Sequence, residues 1–247
     1  MLRTRAACTA LATAVLALLA AGCGDAGGLQ GAGATPTATS PAKLWPTLSP
    51  AASPAWNYDN GESEAMKGIT APGDDIRKVD PVAVVRAEMS QHPDDYSGSK
   101  APYRETARRM AYCGKQPANP KCPLLKPYYQ DITGDGRADL TLGFRLLPGN
   151  QTAVRVYTVE AGRVVQVMSN NDAVSGVELA GRSVIIHAPS DLADYEYRFQ
   201  WTWDPDQRVM LLTHDEMLHI GKRERLTSPN ATPSASPSVS PSPSATP

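Results

Sequence analysis

The chain has no excess of basic charge, which argues against nucleic acid as a partner. Its 247 residues carry 24 Lys and Arg against 25 Asp and Glu. Arg3 and Arg5 sit in a segment that reads as an export signal, and without them the balance is 22 − 25 = −3. A nucleic-acid-binding domain instead gathers Lys and Arg on one face. The motifs of several enzyme classes are also missing. There is no Gly-x-Ser-x-Gly elbow and no phosphate-cradling loop. The Gly22 to Gly27 match to Gly-x-Gly-x-x-Gly follows no strand and opens no helix. His214 and His219 are five apart, so they do not share the helical face of a His-Glu-x-x-His zinc site. They read as polar residues after the last strand. No catalytic residue is assigned.

Cysteine is also scarce, and each of the four has its own reading. Arg3 and Arg5 precede an uncharged apolar run, Ala6 to Ala20, that is too short to span a bilayer in the usual way. Leu19-Ala20-Ala21-Gly22-Cys23 follows and is similar to a bacterial lipobox. Residues 1–22 then form a lipoprotein signal peptide, which takes Cys8 with it. Cys23 becomes the diacylated N-terminus, carrying palmitate-type chains. Acyl chains contribute about 0.8 kcal/mol per buried CH₂, so a multiply acylated Cys23 anchors stably to the extracytoplasmic face of the cell membrane. Cys113 and Cys122 remain. They bracket eight turn-rich residues in an exported protein, where disulfides persist. A bridge there contributes roughly 2.5–3 kcal/mol by the chain-entropy model. A zinc site would need further Cys or His nearby, and none is present.

Residues 23–55 are rich in Gly, Ala, Ser, Thr and Pro and read as a flexible tether. A globular domain is expected over 56–225, and a disordered Ser/Pro-rich tail over 226–247. The expected fold class is α+β: two N-terminal helices within about 80–112, then an antiparallel β-meander of about eight strands over about 124–214. Asp80-Pro81 is an N-cap followed by Pro at the first helical position. Val82, Val85 and Met89 share a face, and so do Tyr103, Ala107 and Met110. Arg104, Arg108 and Arg109 read as a solvated face or as a contact with acidic lipid or partner. Leu140, Leu142, Phe144 and Leu146 alternate with Thr141, Gly143 and Arg145, the period of a half-buried strand.

The most specific stretch is Asp131-Ile132-Thr133-Gly134-Asp135-Gly136-Arg137-Ala138-Asp139. Hard cations such as Ca²⁺ take several oxygen ligands from one curled loop. Asp131, Thr133, Asp135, the Arg137 carbonyl and Asp139 fall at alternate positions of such a loop. Gly136 permits its sharp turn. Leu142 stands where an EF-hand needs a bidentate Glu. The loop resembles the calcium loops of FG-GAP and integrin-propeller-type repeats, with Thr133 in place of the usual Asn or Asp. Two readings stand: a structural calcium site, or a metal-free Asx-type turn.

Tyr195, Tyr197, Phe199, Trp201 and Trp203 lie on one face of a strand, opposite Glu196, Arg198, Gln200 and Thr202. Such a stripe is either core or, where exposed, a platform for glycan or a protein partner.

Lipobox, tether, Asp loop and Ser/Pro tail together look like an actinobacterial surface lipoprotein. The phrases around Tyr128 to Leu140, Val154 to Val159 and Val177 to Arg182 resemble accessory lipoproteins of the CseA type, from the sigma-E cell-envelope-stress system. That resemblance implies a non-enzymatic module that modulates a sensor kinase through its extracellular domain. It offers no catalytic residues. The alternative is a cell-wall or glycan binder using Tyr195–Trp203. An envelope hydrolase is the third reading, and it requires Asp191, Asp194 and Glu196 to converge.

Overall fold

The computed structural model describes residues 40–51, 62–114 and 119–221. Its centre is built from three long strands, Asp139–Leu146 (β4), Gln151–Glu160 (β5) and Arg163–Asp172 (β6), which pair antiparallel. Glu64–Thr70 (β2) flanks β6 and Tyr128–Gln130 (β3) flanks β4, giving the order β2-β6-β5-β4-β3. A second sheet has the order β1-β7-β8-β9-β10. Its strands are Ala42–Leu44 (β1), Gly176–Ala180 (β7), Ser183–Pro189 (β8), Tyr195–Asp204 (β9) and Val209–His219 (β10). Three short helices complete the described residues: Pro81–Gln91 (α1), Pro93–Tyr96 (α2) and Arg104–Arg109 (α3).

The apolar side chains form two cores. One lies between the sheets, where Val154, Val156 and Val167 meet Ile186, Phe199 and Trp201. The other lies between the first sheet and the helices, where Leu140, Leu142 and Phe144 meet Val85, Met89 and Tyr96. The β4–β6 sheet is thus the middle layer, covered on both faces. That explains why eight consecutive residues of β5, Thr152 to Val159, are all buried.

The expectation of two N-terminal helices and a single β-meander is overturned. The described residues are mostly β, in two antiparallel sheets of five strands each. Two strands precede the helices, and the chain changes sheet between β6 and β7. The physical reason lies in the ends of the chain. β1 and β2 each bury a single side chain, Leu44 or Met66, so neither shows an alternating pattern. Gly68, at φ 78°, falls where the β2 pairing with β6 breaks between Ala65 and Thr70. The second predicted helix is six residues followed by a 3₁₀ turn, Met110–Tyr112.

β1 lies within the stretch expected to be tether, and the residue after it is a core plug. Trp45 is 6 % exposed, and its Nε1 donates to the Lys126 carbonyl at 2.8 Å. Its ring meets Tyr128 edge-on at 6.0 Å and lies against Gly143 of β4. A Cβ on Gly143 would sit 2.6 Å from the Trp45 ring, and overpacking of this kind costs about 1–3 kcal/mol. Gly143→Ala is therefore expected to lower the urea midpoint clearly. In a Trp45→Leu background the same change should cost much less. Equal costs in both backgrounds would show that the ring is not what requires glycine.

Candidate functional site

The site starts from α1. Asp80 caps it, its side chain accepting from Val82 N at 2.9 Å. The cap fixes the start of a helix that buries Val82, Val84, Val85, Glu88 and Met89. Glu88 is thus a carboxylate on an apolar face, 3 % exposed. A buried charge must be paired and hydrogen-bonded, and β5 supplies the partner. Arg155 Nε donates to Glu88 Oε1 at 2.9 Å, and the Tyr157 hydroxyl donates to Oε2 at 2.7 Å. Arg155 Nη1 reaches the carbonyls of Val154 and Asn170 and the Asn171 side chain. The guanidinium carbon lies 5.4 Å from the Phe144 ring centroid. Burial works against the Arg155 charge, but Glu88 outweighs it and holds the guanidinium above its usual pKa. Burial first, and then Glu88, push the Tyr157 and Tyr96 phenols well above their usual range, so both stay neutral.

Beside this pair is a cavity of about 330 Å³, lined from α1, α2, β6, β9 and β10. It exists because β2 and β6 are unequal in length. β2 begins at Glu64, opposite Gln166, while β6 runs on to Asp172. Among the described residues no strand continues along the β2 side of β6 beyond that point, and the helix side and the second sheet both open onto that edge. Two lining groups stand out. Gln166 Oε1 and Trp201 Nε1 are buried, in residues 7 % and 1 % exposed, and have no hydrogen-bond partner among the described residues. Each such orphan costs about 1–3 kcal/mol. The mouth is acidic. Glu62 and Asp95 are exposed there, and Glu64 holds His92 Nε2 at 2.7 Å and also accepts from Gln91.

The predicted site residues lie elsewhere. In the Asp131–Asp139 loop the carboxylates hold the backbone. Asp131 accepts from Gly134 N and Gly136 N, and Asp139 from Ile132 N and Thr133 N. Gly134 and Gly136 take φ of 77° and 82°, which glycine adopts without penalty. Asp135 is gripped by Arg137, Nη2 to Oδ2 at 2.7 Å, and Arg137 also faces Asp74 at 3.6 Å. Burial works to raise the Asp135 carboxyl, but the bonds from Arg137 outweigh it and hold its pKa below the usual value. Burial raises the Asp139 carboxyl, against the hydrogen bonds it accepts. Asp131, Thr133, Asp135, Arg137 and Asp139 carry the donor types a Ca²⁺ shell needs. Among the described residues, no three His, Cys, Asp or Glu stand together to hold a metal. What the loop does visibly is join the sheets. Arg182 Nη2, from the β7–β8 turn, donates to the Thr133 carbonyl, and Gln130 Nε2 donates to the Gly181 carbonyl.

Cys113 and Cys122 are disulfide-bonded, with Cα atoms 4.9 Å apart. Cys23, the signal peptide and the Ser/Pro tail lie outside the described residues. In the aromatic strand Phe199 and Trp201 are core, 4 % and 1 % exposed, and Tyr195, Tyr197 and Trp203 are half-buried. His214 and His219 belong to β10 itself rather than following it. Glu196 of the suggested carboxylate group is engaged by His187 Nδ1 at 2.9 Å. Among the described residues, no helix is long and apolar enough to cross a membrane.

Glu88, Arg155, Gln166 and Trp201 were not singled out together by the sequence. A signal existed for two of them. Glu88 sits between apolar face positions of α1, and Arg155 interrupts the apolar run of β5. Comparison with protein-family models, with curated proteins and with solved structures gives no match.

Removing one member of a buried pair leaves an uncompensated charge and costs about 3–5 kcal/mol. Glu88→Ala should therefore unfold at far lower urea than the parent. The triple replacement Glu88→Leu, Arg155→Met, Tyr157→Phe should recover most of the loss, because it removes both charges and the hydroxyl together. A Glu88→Ala protein as stable as the parent would show that the pair is not what the site is built on.

Proposed function

We propose that this protein is a lipid-anchored extracytoplasmic lipoprotein that acts by binding rather than by catalysis. In this reading Cys23 anchors it to the membrane and the described domain presents its cavity to a ligand or partner. One observation carries the proposal: a cavity of about 330 Å³ with the Glu88–Arg155 pair in its wall and the carboxylates Glu62, Glu64 and Asp95 around it. Its size falls at the low end for ligand pockets, and charged groups of both signs line it, which suits a polar ligand or partner group. The carboxylate best placed for acid–base work, Glu88, is engaged by Arg155 and Tyr157, which suits it to holding shape. The resemblance to CseA-type accessory lipoproteins suggests the regulatory consequence: the module modulates an envelope-stress sensor kinase through that kinase's extracellular domain. Burial of Phe199 and Trp201 removes the centre of the aromatic stripe from the surface. That weighs against the alternative, a glycan platform built on Tyr195–Trp203.

Crosslinking in living cells from the anchored protein, followed by mass spectrometry, tests the reading. Recovery of a sensor-kinase extracellular domain is expected. Recovery of peptidoglycan fragments alone would overturn the regulatory role in favour of wall binding.

Calcium is proposed only as a structural ligand of the Asp131–Asp139 loop, displacing Arg137 from Asp135. If so, millimolar Ca²⁺ raises the melting temperature, EDTA reverses the rise, and Asp135→Ala abolishes the difference. A wild-type melt insensitive to both Ca²⁺ and EDTA would leave the loop as a metal-free clasp.

A further inference from the structure

We propose that the outer edge of β10 is a docking surface for an extended segment of a partner protein, one that pairs its backbone with residues 215–219 and carries Lys or Arg among apolar side chains. This surface stands apart from the cavity and does not depend on what the cavity takes.

β10 is the last strand of its sheet and pairs with β9 alone. Its second half, residues 213–219, is mostly exposed. The ladder decides which backbone groups are free. Ile220 N donates to the Asp194 carbonyl at 2.7 Å, continuing the register that pairs His219 with Tyr195 and His214 with Gln200. Backbone groups alternate in direction along an antiparallel strand, so those of Leu218, Glu216 and His214 turn to β9 as Ile220 N does. Those of Asp215, Met217 and His219 turn outward, and they have no backbone partner among the described residues. Such a row is a template for one more strand, and main-chain bonds of this kind supply the affinity when an extended peptide adds to a sheet.

The side chains beside this edge are apolar. Of the large apolar residues exposed among the described ones, all but Tyr112 are here: Leu192 at 55 %, Met217 at 45 % and Ile220 at 60 %. They are gathered by direct contacts. Ser190 Oγ accepts from Leu192 N at 3.1 Å and donates to Met217 Sδ at 3.6 Å, and Ile220 is bonded to Asp194, close to Leu192 in the same turn. Tyr197, half-buried, stands across the ladder from Met217. An exposed apolar cluster rimmed by polar residues marks an interaction site. Charge then selects the occupant. Asp191, Asp194 and Asp215 are exposed, and their side chains make no hydrogen bond or ion pair among the described residues. Arg198 and His214 both face Glu216, and His187 faces Glu196. Among the described residues the charge left over at this end is negative. A basic segment is drawn in, and an acidic one or an anionic membrane is repelled. A second copy of the chain would set the same carboxylates against one another.

The test is hydrogen–deuterium exchange on the full chain in a zwitterionic detergent, with synthetic peptides that alternate Lys and Val or Glu and Val as probes. The Lys–Val peptide is expected to slow exchange at the amides of Asp215, Met217 and His219, and the Glu–Val peptide to bind roughly tenfold less tightly. Met217→Pro removes an outward N–H, a change that edge strands tolerate. It should abolish the protection at Asp215 and His219 while the melting temperature stays near that of the parent. Asp191→Asn, Asp194→Asn and Asp215→Asn together should remove the preference for the Lys–Val peptide. Binding of that peptide without slower exchange at these amides would place it elsewhere and overturn the proposal, as would no binding at all. Equal binding of the two peptides by the parent would overturn the choice of a basic partner. Protection of the same amides before any peptide is added would give the edge to a second copy, or to residues 222–247 of the chain itself, and would overturn the proposal too.

Discussion

Arg155 carries its charge on a strand whose two faces are both covered, and much of the architecture follows from accommodating it. Burying a guanidinium is unfavourable unless opposite charge and acceptors surround it. Glu88 brings the charge, Tyr157 completes the carboxylate, and Val154, Asn170 and Asn171 take Nη1. The two charges come from different layers, one from α1 and one from β5. The pair therefore fixes where the helix sits on the sheet. A buried ion pair is weak support for net stability, since an apolar replacement often does as well. Its effect here is positional: α1 cannot slide along the sheet without stranding a charge. The cavity next to it inherits a floor with little freedom to move.

A second clasp works on the other side of the middle sheet. The Asp131–Asp139 loop leaves β3 and returns as β4, and its side chains face inward to its own amides. Its outer connections run to the β7–β8 turn through Arg182 and Gln130. Ile132, fully buried, is set into the core between the sheets. The same residues that read as metal ligands thus have a second physical use: carboxylates that accept amide protons close a loop whose backbone groups would otherwise face the interior unpaired. Whether or not a cation joins them, the loop ties one sheet to the other.

What could be read from the sequence follows from which residues see one environment and which see two. The Asp80-Pro81 cap and the start of α1 were legible because capping is local. The alternation in β4 was legible because Thr141, Gly143 and Arg145 face the far side from its leucines. The two-sheet architecture was not. β5 is buried on both faces, so its pattern does not say which layer lies where, and nothing local marks the change of sheet after Asp172. β1 and Trp45 were hidden in a Ser/Pro/Thr-rich segment because one leucine and one indole do all the packing there. The candidate site was least legible of all. Glu88 and Arg155 are 67 positions apart. Gln166 and Trp201 become notable only through the partners they lack, and that is a property of the fold.

The placement of those orphans bears on what the domain is for. Two unpaired buried groups together cost about 2–6 kcal/mol, and a typical fold has only about 5–15 kcal/mol of net stability. A sequence selected for stability alone would replace Gln166 with a methionine or leucine, which this cavity wall could pack. Some polar groups around the cavity are well matched: Arg155 has several acceptors, the Glu88 carboxylate has a donor on each oxygen, and the Glu64 carboxylate is held from two sides; both side-chain polar atoms of Asn170, on β6, are buried without a partner among the described residues. Strain of this kind is expected to collect at functional sites and to be offset elsewhere. Gln166 and Trp201 both line the cavity, at the point where β2 no longer covers its edge of β6.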